Sequence, residues 1–323
     1  MNRMNNSIFP SFFFLSALSM FSFSALSGEK VDATLEAKAG DFIEIEHLNG
    51  KAKITGWDKE LIQVKGELDD NAEEFVFRRT DSGIEIKVEM PRNNRQSRNG
   101  GGDDLEIFVP RNGPVSYTSV NANVTLDKLH SGVGVETVNG KINLSDAQGK
   151  IRIESVNGDV SSKQLNGDVR IETVNGSIDD KQSEAREAHF SAVNGHIASD
   201  IKSKEVSVET VNGHIDLKLD RIDRLEISTV NGQVEAQFAP VKDADIEVSS
   251  VGGKIQLAVP RDVSARFKVE AHAGGRIVNE ITKDEQQRDR YGPGRWLNFT
   301  TGEGEAEVSV STVSGKVLLK KID

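Results

Sequence analysis

The sequence predicts an all-β protein: a β-solenoid, similar to a parallel β-helix, with stacked coils of 18–19 residues that turn at Val-Asn-Gly corners. The tripeptide Val-Asn-Gly recurs six times at that spacing, and a fixed short period is typical of solenoids. Apolar and polar residues alternate on both sides of each tripeptide, which is the period of a β-strand. Aromatic residues make up only 6% of the chain, so Val, Ile and Leu must fill a thin, layered core.

Residues 1–27 are predicted to be an export signal. Arg3 precedes an apolar, Phe-rich run, and the small residues Ala25 and Ser27 suit a cleavage site before Gly28. An uncleaved membrane anchor is the alternative, although serines and a proline make the run a poor spanning helix. We therefore expect an exported protein without stable membrane insertion after cleavage, located in the periplasm or, alternatively, at the cell surface.

Residues 28–115 are predicted to form a less regular β region that continues into the solenoid. The segment 42–68 alternates well and contains a Leu-Asn-Gly corner, and 75–91 is typical of a hairpin that turns at 81–83. The polar, glycine-rich segment 92–104 is expected to be a mobile loop.

Residues 116–260 are predicted to hold the regular coils. Glycines also recur every nine residues from Gly140 to Gly176, so each coil should contain two short strands and two turns. Stacked coils would pair these strands about 4.8 Å apart. Asn and Gly both tolerate positive φ, which explains the choice of Asn-Gly for a corner that reverses the chain.

The corner residues are predicted to stack into columns. Asparagine amides in register can hydrogen-bond to one another, and the Ser/Thr residues two positions earlier should form a second ladder. A structural role is favoured over a polar ligand-binding surface, because the fold requires a corner there. The predicted structural ladder comprises Asn139, Asn157, Asn175, Asn194, Asn212 and Asn231 with Gly140, Gly158, Gly176, Gly195, Gly213 and Gly232.

Residues 261–323 are predicted to be C-terminal coils with an inserted loop at about 282–304. The insertion contains Tyr291, Arg295 and Trp296, and residue types of this kind are frequent anchors of binding interfaces. A short helix and loop that cover the solenoid end or side are favoured, because an open end invites edge-to-edge growth, and a binding loop is the alternative. Tyr291, Arg295 and Trp296 are therefore the candidate binding residues.

No motif in the sequence specifies catalysis. The formal charge of −11 argues against a nucleic-acid partner, and the chain has no cysteine. His196 and His214 should stack about 5 Å apart, but a stable metal site needs more ligands, so neither a metal nor another cofactor is predicted. A carbohydrate-active β-helix enzyme would place its charges along one sheet face, and the residues considered for that role are Asp159, Asp179, Asp180, Lys163 and Lys181.

Several segments carry a resemblance to a known family. They are ITGWDKELIQVKGEL (54–68), LEIFVPRNGPVSYTSV (105–120), the Val-Asn-Gly coils and GEAEVSVSTVSGKVLL (304–319). In this order they resemble the bacterial putative adhesin family, domain of unknown function 4097, whose members carry β-strand repeats in the cell envelope. The resemblance covers nearly all of residues 30–320; it implies a β-solenoid and supplies no catalytic residues.

These observations favour a non-enzymatic, exported envelope protein with a structural or binding, adhesin-like role. Its partner would be an envelope protein or a glycan that the sequence does not identify, and self-association is also compatible with the repeats. Two alternatives remain open: a carbohydrate-active β-helix enzyme and an accessory of an envelope-stress signalling system.

Overall fold

The computed structural model describes residues 21–24, 28–38, 40–91 and 101–322, and every regular element in them is a β-strand. Among these residues, no helix is long and apolar enough to cross a membrane. Most of the predicted export signal lies outside the described residues. The strands are β1 Phe21–Ser24, β2 Lys30–Glu36, β3 Phe42–Trp57, β4 Leu61–Glu67, β5 Glu74–Arg79, β6 Gly83–Glu89, β7 Asp103–Pro110, β8 Val115–Leu129, β9 Val133–Asn139, β10 Ile142–Asn157, β11 Val160–Asn175, β12 Ile178–Asn194, β13 Ile197–Val259, β14 Ala265–Ala271, β15 Arg276–Asn279, β16 Gln287–Arg288, β17 Arg295–Thr301, β18 Ala306–Thr312 and β19 Lys316–Lys321.

The predicted all-β solenoid is confirmed. β10 pairs in parallel with β11 on both sides of a turn, with Ile142 opposite Val160 and Ile151 opposite Val169, so equivalent residues stack at a step of 18. The first turn of each coil is the Val-Asn-Gly corner. The second lies where Asp146 and its equivalents have left-handed φ.

The core is a narrow apolar column between the two strands of each coil. Ile151 and Ile153 enter it from one strand, and Ile142 and Leu144 enter it from the other; each is at most 1% exposed. Burial of one such side chain contributes roughly 1.5–3 kcal/mol. The stacking of one coil on the next therefore supplies the apolar partner that a single coil lacks.

The N-terminal end of the stack combines parallel coils with antiparallel strands. β3 lies beside β8 and pairs in parallel with β6 and β7, while β4 and β2 follow as antiparallel strands. β5 and β6 form the hairpin predicted for 75–91. The prediction of a loop at 92–104 is wrong for its last two residues, because Asp103 and Asp104 begin β7 opposite Gly50 and Lys51. Residues 92–100 lie outside the described part of the chain.

At the C-terminal end, the order of the coils differs from the order of the chain. The coil of β18 and β19 lies between the end of β13 and the coil of β14 and β15. The short helix considered for the insertion is wrong: residues 295–301 form β17, which runs antiparallel to β14. A Gly-Pro-Gly turn at 292–294 reverses the chain, and period-two alternation from Leu297 to Phe299 favours a strand.

The corners require glycine for a different reason from the predicted one, which was positive φ. Of the six, only Gly140 has a left-handed φ. A Cβ on Gly176 would lie less than 3.0 Å from the backbone oxygen of Gly158 in the preceding coil, and the other corners repeat this approach. Glycine is therefore required at most corners by the close contact between successive coils.

Candidate functional site

A long groove lies on the outer surface beside the repeated corner. Its volume is about 480 Å³, and it extends across five consecutive coils. Aliphatic side chains alternate with glutamates and small hydroxyl residues in its lining: Thr118, Ser119, Glu136, Thr137, Val138, Glu154, Ser155, Val156, Glu172, Thr173, Val174, Ser191 and Val193.

The aliphatic side of the groove belongs to a row that continues beyond it. We call this set the valine row; each member is 36–48% exposed, and the members are Leu48, Val120, Val138, Val156, Val174, Val193, Val211, Val230, Val251 and Val313. Nine steps of about 4.8 Å give the row a length of about 43 Å. Sequence reasoning missed this row, although strict alternation already places each corner valine opposite the inward-facing Ser/Thr before it.

Glutamates make the groove acidic. Glu154 and Glu172 form ion pairs with Arg152 and Arg170, which occupy equivalent positions in successive coils. One coil earlier, Gly134 occupies the position of Arg152. Glu136 consequently has no ion-pair partner among the described residues.

The asparagine column forms a continuous ladder of side-chain hydrogen bonds. Asn175 donates to Asn157 at 2.9 Å, Asn194 donates to Asn175 at 2.9 Å, and the pattern repeats from coil to coil. All six predicted asparagines participate, and the ladder continues through Asn121 to Asn49, two members that the sequence-based set omitted. The Leu-Asn-Gly segment at 48–50 and the Val-Asn-Ala segment at 120–122 could have indicated these two members.

The expected ladder of Ser/Thr hydroxyls is largely absent from the described coils. Ser119 donates to Thr137 at 2.8 Å. By contrast, Thr173 reaches only a backbone oxygen, and the buried hydroxyls of Thr210 and Thr229 have no hydrogen-bond partner. A hydroxyl is shorter than an amide, so it spans the distance between coils less readily.

Four of the five charged residues considered for a carbohydrate-active enzyme line one surface depression of about 390 Å³: Lys163, Asp179, Asp180 and Lys181. Asp179 and Lys181 form a surface ion pair at 2.7 Å, whereas Asp159 accepts the backbone N–H of Ser177 at the corner. Asp180, expected on the outer face, is 1% exposed and points into the core. Asp159 is not among the residues that line this depression.

Asp180 interrupts the apolar core with a small polar cluster. Its carboxylate accepts hydrogen bonds from Ser162 and Ser183 at 2.7 Å and from Ser199 at 3.3 Å. Burial raises the pKa of Asp180, and the hydroxyl donors oppose that rise. The cluster lies beside the register shift between β12 and β13, where one coil has an extra residue relative to the next.

A second buried network, not predicted from the sequence, joins the N-terminal strands to the coils. His47 Nδ1 lies 3.0 Å from the Tyr117 hydroxyl, and His47 Nε2 lies 3.2 Å from Asp103 Oδ2. Asp103 also accepts the backbone N–H of Asp69 at 2.7 Å, and burial raises the pKa of Tyr117. His47, Asp103 and Tyr117 are at most 1% exposed, so the network can hold strands together but cannot contact a substrate.

His196 and His214 stack as predicted, with ring centroids 5.1 Å apart and ring planes 8° from parallel. Within the described ranges, no three His, Asp or Glu side chains are grouped so that they could hold a metal ion.

The three candidate binding residues of the insertion occupy different positions. Tyr291 lies in the loop between β16 and β17 and is 85% exposed. Arg295 and Trp296 begin β17, where they pair with Ala271 and Glu270 of β14 and are half-buried. The structure thus makes Arg295 and Trp296 part of the end strand and leaves Tyr291 at the surface.

Comparisons with solved structures find distant likenesses. A putative adhesin from Parabacteroides distasonis is 12% identical with a TM-score of 0.47, covering 91% of this chain and 98% of its own. A putative lipid binding protein from the same organism is 12% identical with a TM-score of 0.43, covering 92% and 99%. A putative adhesin from Bacteroides fragilis is 12% identical with a TM-score of 0.41, covering 92% and 98%. Likenesses of this strength do not indicate what the chain binds.

No curated protein matches this chain. A family model does: the one described as Toastrack DUF4097 matches residues 41–320, which include the complete run of coils and every strand from β3 to β18. The family resemblance seen in the sequence is confirmed, and the chain belongs to the Toastrack DUF4097 family.

Proposed function

We propose that this chain is an exported, non-enzymatic binding protein of the cell envelope, which holds a protein partner along the valine row. The observation that supports the proposal is the row itself: ten aliphatic side chains, each about two-fifths exposed, in consecutive coils. Monomeric soluble proteins rarely expose a continuous apolar surface of this extent.

The lining of the groove favours a protein segment over a glycan. No aromatic ring lies among its lining residues, and a sugar would lack the flat apolar surface that aromatic rings provide. Aliphatic side chains beside Glu136, Glu154 and Glu172 complement a segment with aliphatic and basic residues. An enzymatic role has less support, because Asp179 is paired with Lys181 and Asp180 is buried among hydroxyl donors.

Site-specific crosslinking tests the proposal. A photoreactive residue at Val156 in the tagged, exported protein should capture one dominant envelope protein, and the purified pair should bind in a calorimeter. Val156→Lys with Val174→Lys should abolish that binding, because both changes place positive charge in the path of a basic segment. Asn143→Lys with Ser161→Lys is the matched control on the other strand of neighbouring coils.

Equal loss of binding in the groove variant and the control would show that charge alone acts, and would contradict the proposal. Capture of a glycan, or unchanged binding by the groove variant, would also contradict it. Thermal unfolding of both variants verifies that each remains folded.

A further inference from the structure

The C-terminal hairpin of β16 and β17 concentrates positive charge in an acidic protein. Arg288 and Arg295 are directly opposite in the antiparallel pairing, and Arg290 lies in the connecting loop. Between residues 286 and 296 there are three arginines and one acid, Asp289, a net charge of +2 in a chain of −11. Like charges directly opposite destabilise an antiparallel pair, so an anion bound between them would relieve a repulsion that the fold leaves in place.

The arginines of the hairpin have no counter-ion. In the described part of the chain, Arg288, Arg290 and Arg295 form no ion pair with a carboxylate. Arg288 and Arg290 are exposed and Arg295 is half-buried. Their guanidinium groups are therefore available to phosphate, which they recognise through paired N–H donors.

Tyr291 lies at the tip of the same hairpin. The loop is closed by a hydrogen bond from the Asp289 N–H to the Gly294 oxygen at 3.0 Å, and the guanidinium of Arg290 lies 5.5 Å from the centre of the Tyr291 ring. The Tyr291 side chain is 85% exposed, so its ring contributes little apolar burial to the fold. Tyrosine is enriched where lipid headgroups meet water, because one end of its ring is apolar and the other polar.

The small size of the hairpin tip favours a lipid surface over a folded protein as its partner. A stable protein interface buries about 800 Å² on each side, which is more than a six-residue loop offers. A lipid surface presents many phosphates, and each basic residue near it adds attraction without a fitted interface.

We propose that this hairpin tip docks on an anionic lipid surface, with Arg288, Arg290 and Arg295 on the phosphate groups and Tyr291 at the depth of the headgroups. The surface lies at the C-terminal end of the stack and is distinct from the groove. The proposal is independent of the protein-binding function proposed above.

Vesicle co-sedimentation of the full chain tests the proposal. Vesicles of mixed phosphatidylglycerol and phosphatidylcholine should bind the protein, and vesicles of phosphatidylcholine alone should not. Arg288→Ser with Arg290→Ser should weaken binding roughly 25-fold, since each arginine contributes roughly fivefold. Arg221→Ser with Arg224→Ser removes the same charge from exposed positions of the regular coils and should change binding less than about twofold.

Three outcomes would overturn the proposal. Equal weakening by the two arginine variants would show a non-specific charge effect, and equal binding to both vesicle types would assign the contact to an apolar segment such as residues 8–26. Loss of binding in sodium phosphate, but not in sodium chloride of the same ionic strength, would indicate a site for free phosphate. Tyr291→Ser provides a second variant, which should weaken binding without altering its salt dependence.

Discussion

Asn175 occupies the middle of the amide ladder, where it donates to Asn157 and accepts from Asn194. We expect Asn175→Ala to lower the free energy of unfolding by about 1 kcal/mol, because both neighbours lose a partner but remain accessible to water. Urea unfolding measures the change. Asn143→Ala removes an exposed asparagine outside the ladder and should be close to neutral; an equal effect of the two variants would argue against a stabilising ladder.

Gly176 shows how closely the coils approach at the corner. Gly176→Ala should cost about 1–3 kcal/mol, because the new Cβ would collide with the Gly158 carbonyl. Gly252 lies four coils later, at the position that asparagine occupies in the Val-Asn-Gly corners, and its Cβ would meet no atom nearer than 3.7 Å. Gly252→Ala should therefore be tolerated. Similar melting temperatures for the two variants would refute close approach as the reason for glycine.

Asp180 makes stability depend on pH. Burial is the main cause that raises the pKa of Asp180 in the folded protein above its ordinary value of 3.8, so the folded state binds the proton more tightly than the unfolded state. The contribution of Asp180 is thus most favourable at low pH and is lost as pH rises from about 3.8 through the raised pKa.

Asp180→Asn removes this titration. The stability of the natural protein should fall relative to the variant as pH rises through that window, and the difference should then become constant. Urea unfolding of both proteins at a series of pH values gives the two curves, and parallel curves would exclude the ionisation of Asp180 as the cause.

The buried contact of His47 with Asp103 and Tyr117 joins three strands, β3, β7 and β8. His47→Leu should destabilise the protein by about 3–5 kcal/mol, since it removes the imidazole beside the buried Asp103 carboxylate, which then retains the Asp69 N–H. Tyr117→Phe should cost only about 1 kcal/mol, the value of one hydrogen bond.

Thr229→Ala is the matched control for the His47 network. It removes a buried hydroxyl from the equivalent column, where that group has no partner, and should be nearly neutral. Chemical unfolding monitored by circular dichroism compares the three variants. A loss for His47→Leu no larger than that for Thr229→Ala would mean that the network does not hold the strands together.

The valine row and the amide ladder are properties of elements in register. A single corner valine is an ordinary exposed residue. Repetition through ten coils turns it into a continuous surface, because the strands at the corner pair in parallel and the corner residues stay in register from coil to coil.

The complete stack should tolerate removal of one coil. Deletion of residues 141–158 joins Gly140 to Asp159 and removes one period of 18 residues, so that Ile142 is replaced by its register partner Val160. We expect a folded, slightly less stable protein that is shorter by about 4.8 Å. Deletion of residues 150–158 removes half a period and should prevent folding, because every later strand would move to the opposite side of its coil.

Small-angle scattering and circular dichroism distinguish the two deletions. A folded product from the half-period deletion, or an unfolded product from the full-period deletion, would contradict the register shown by the paired strands.

Most of the regular stack was readable from the sequence. The period predicted the coils, the asparagine column and the 5.1 Å stacking of His196 and His214, because each property depends on residues one period apart. The outward position of the corner valines was also readable from alternation, although it was not recognised.

The sequence period could not predict the ends of the stack or the two buried polar clusters. β18 pairs with β13 across more than fifty residues, and His47 meets Tyr117 from seventy positions away, so no local period signals either contact. Such pairings depend on which strand edges remain open after the regular coils have stacked. A repeat specifies its own continuation through hydrogen bonds between equivalent residues, whereas its termination depends on tertiary contacts between segments that share no period.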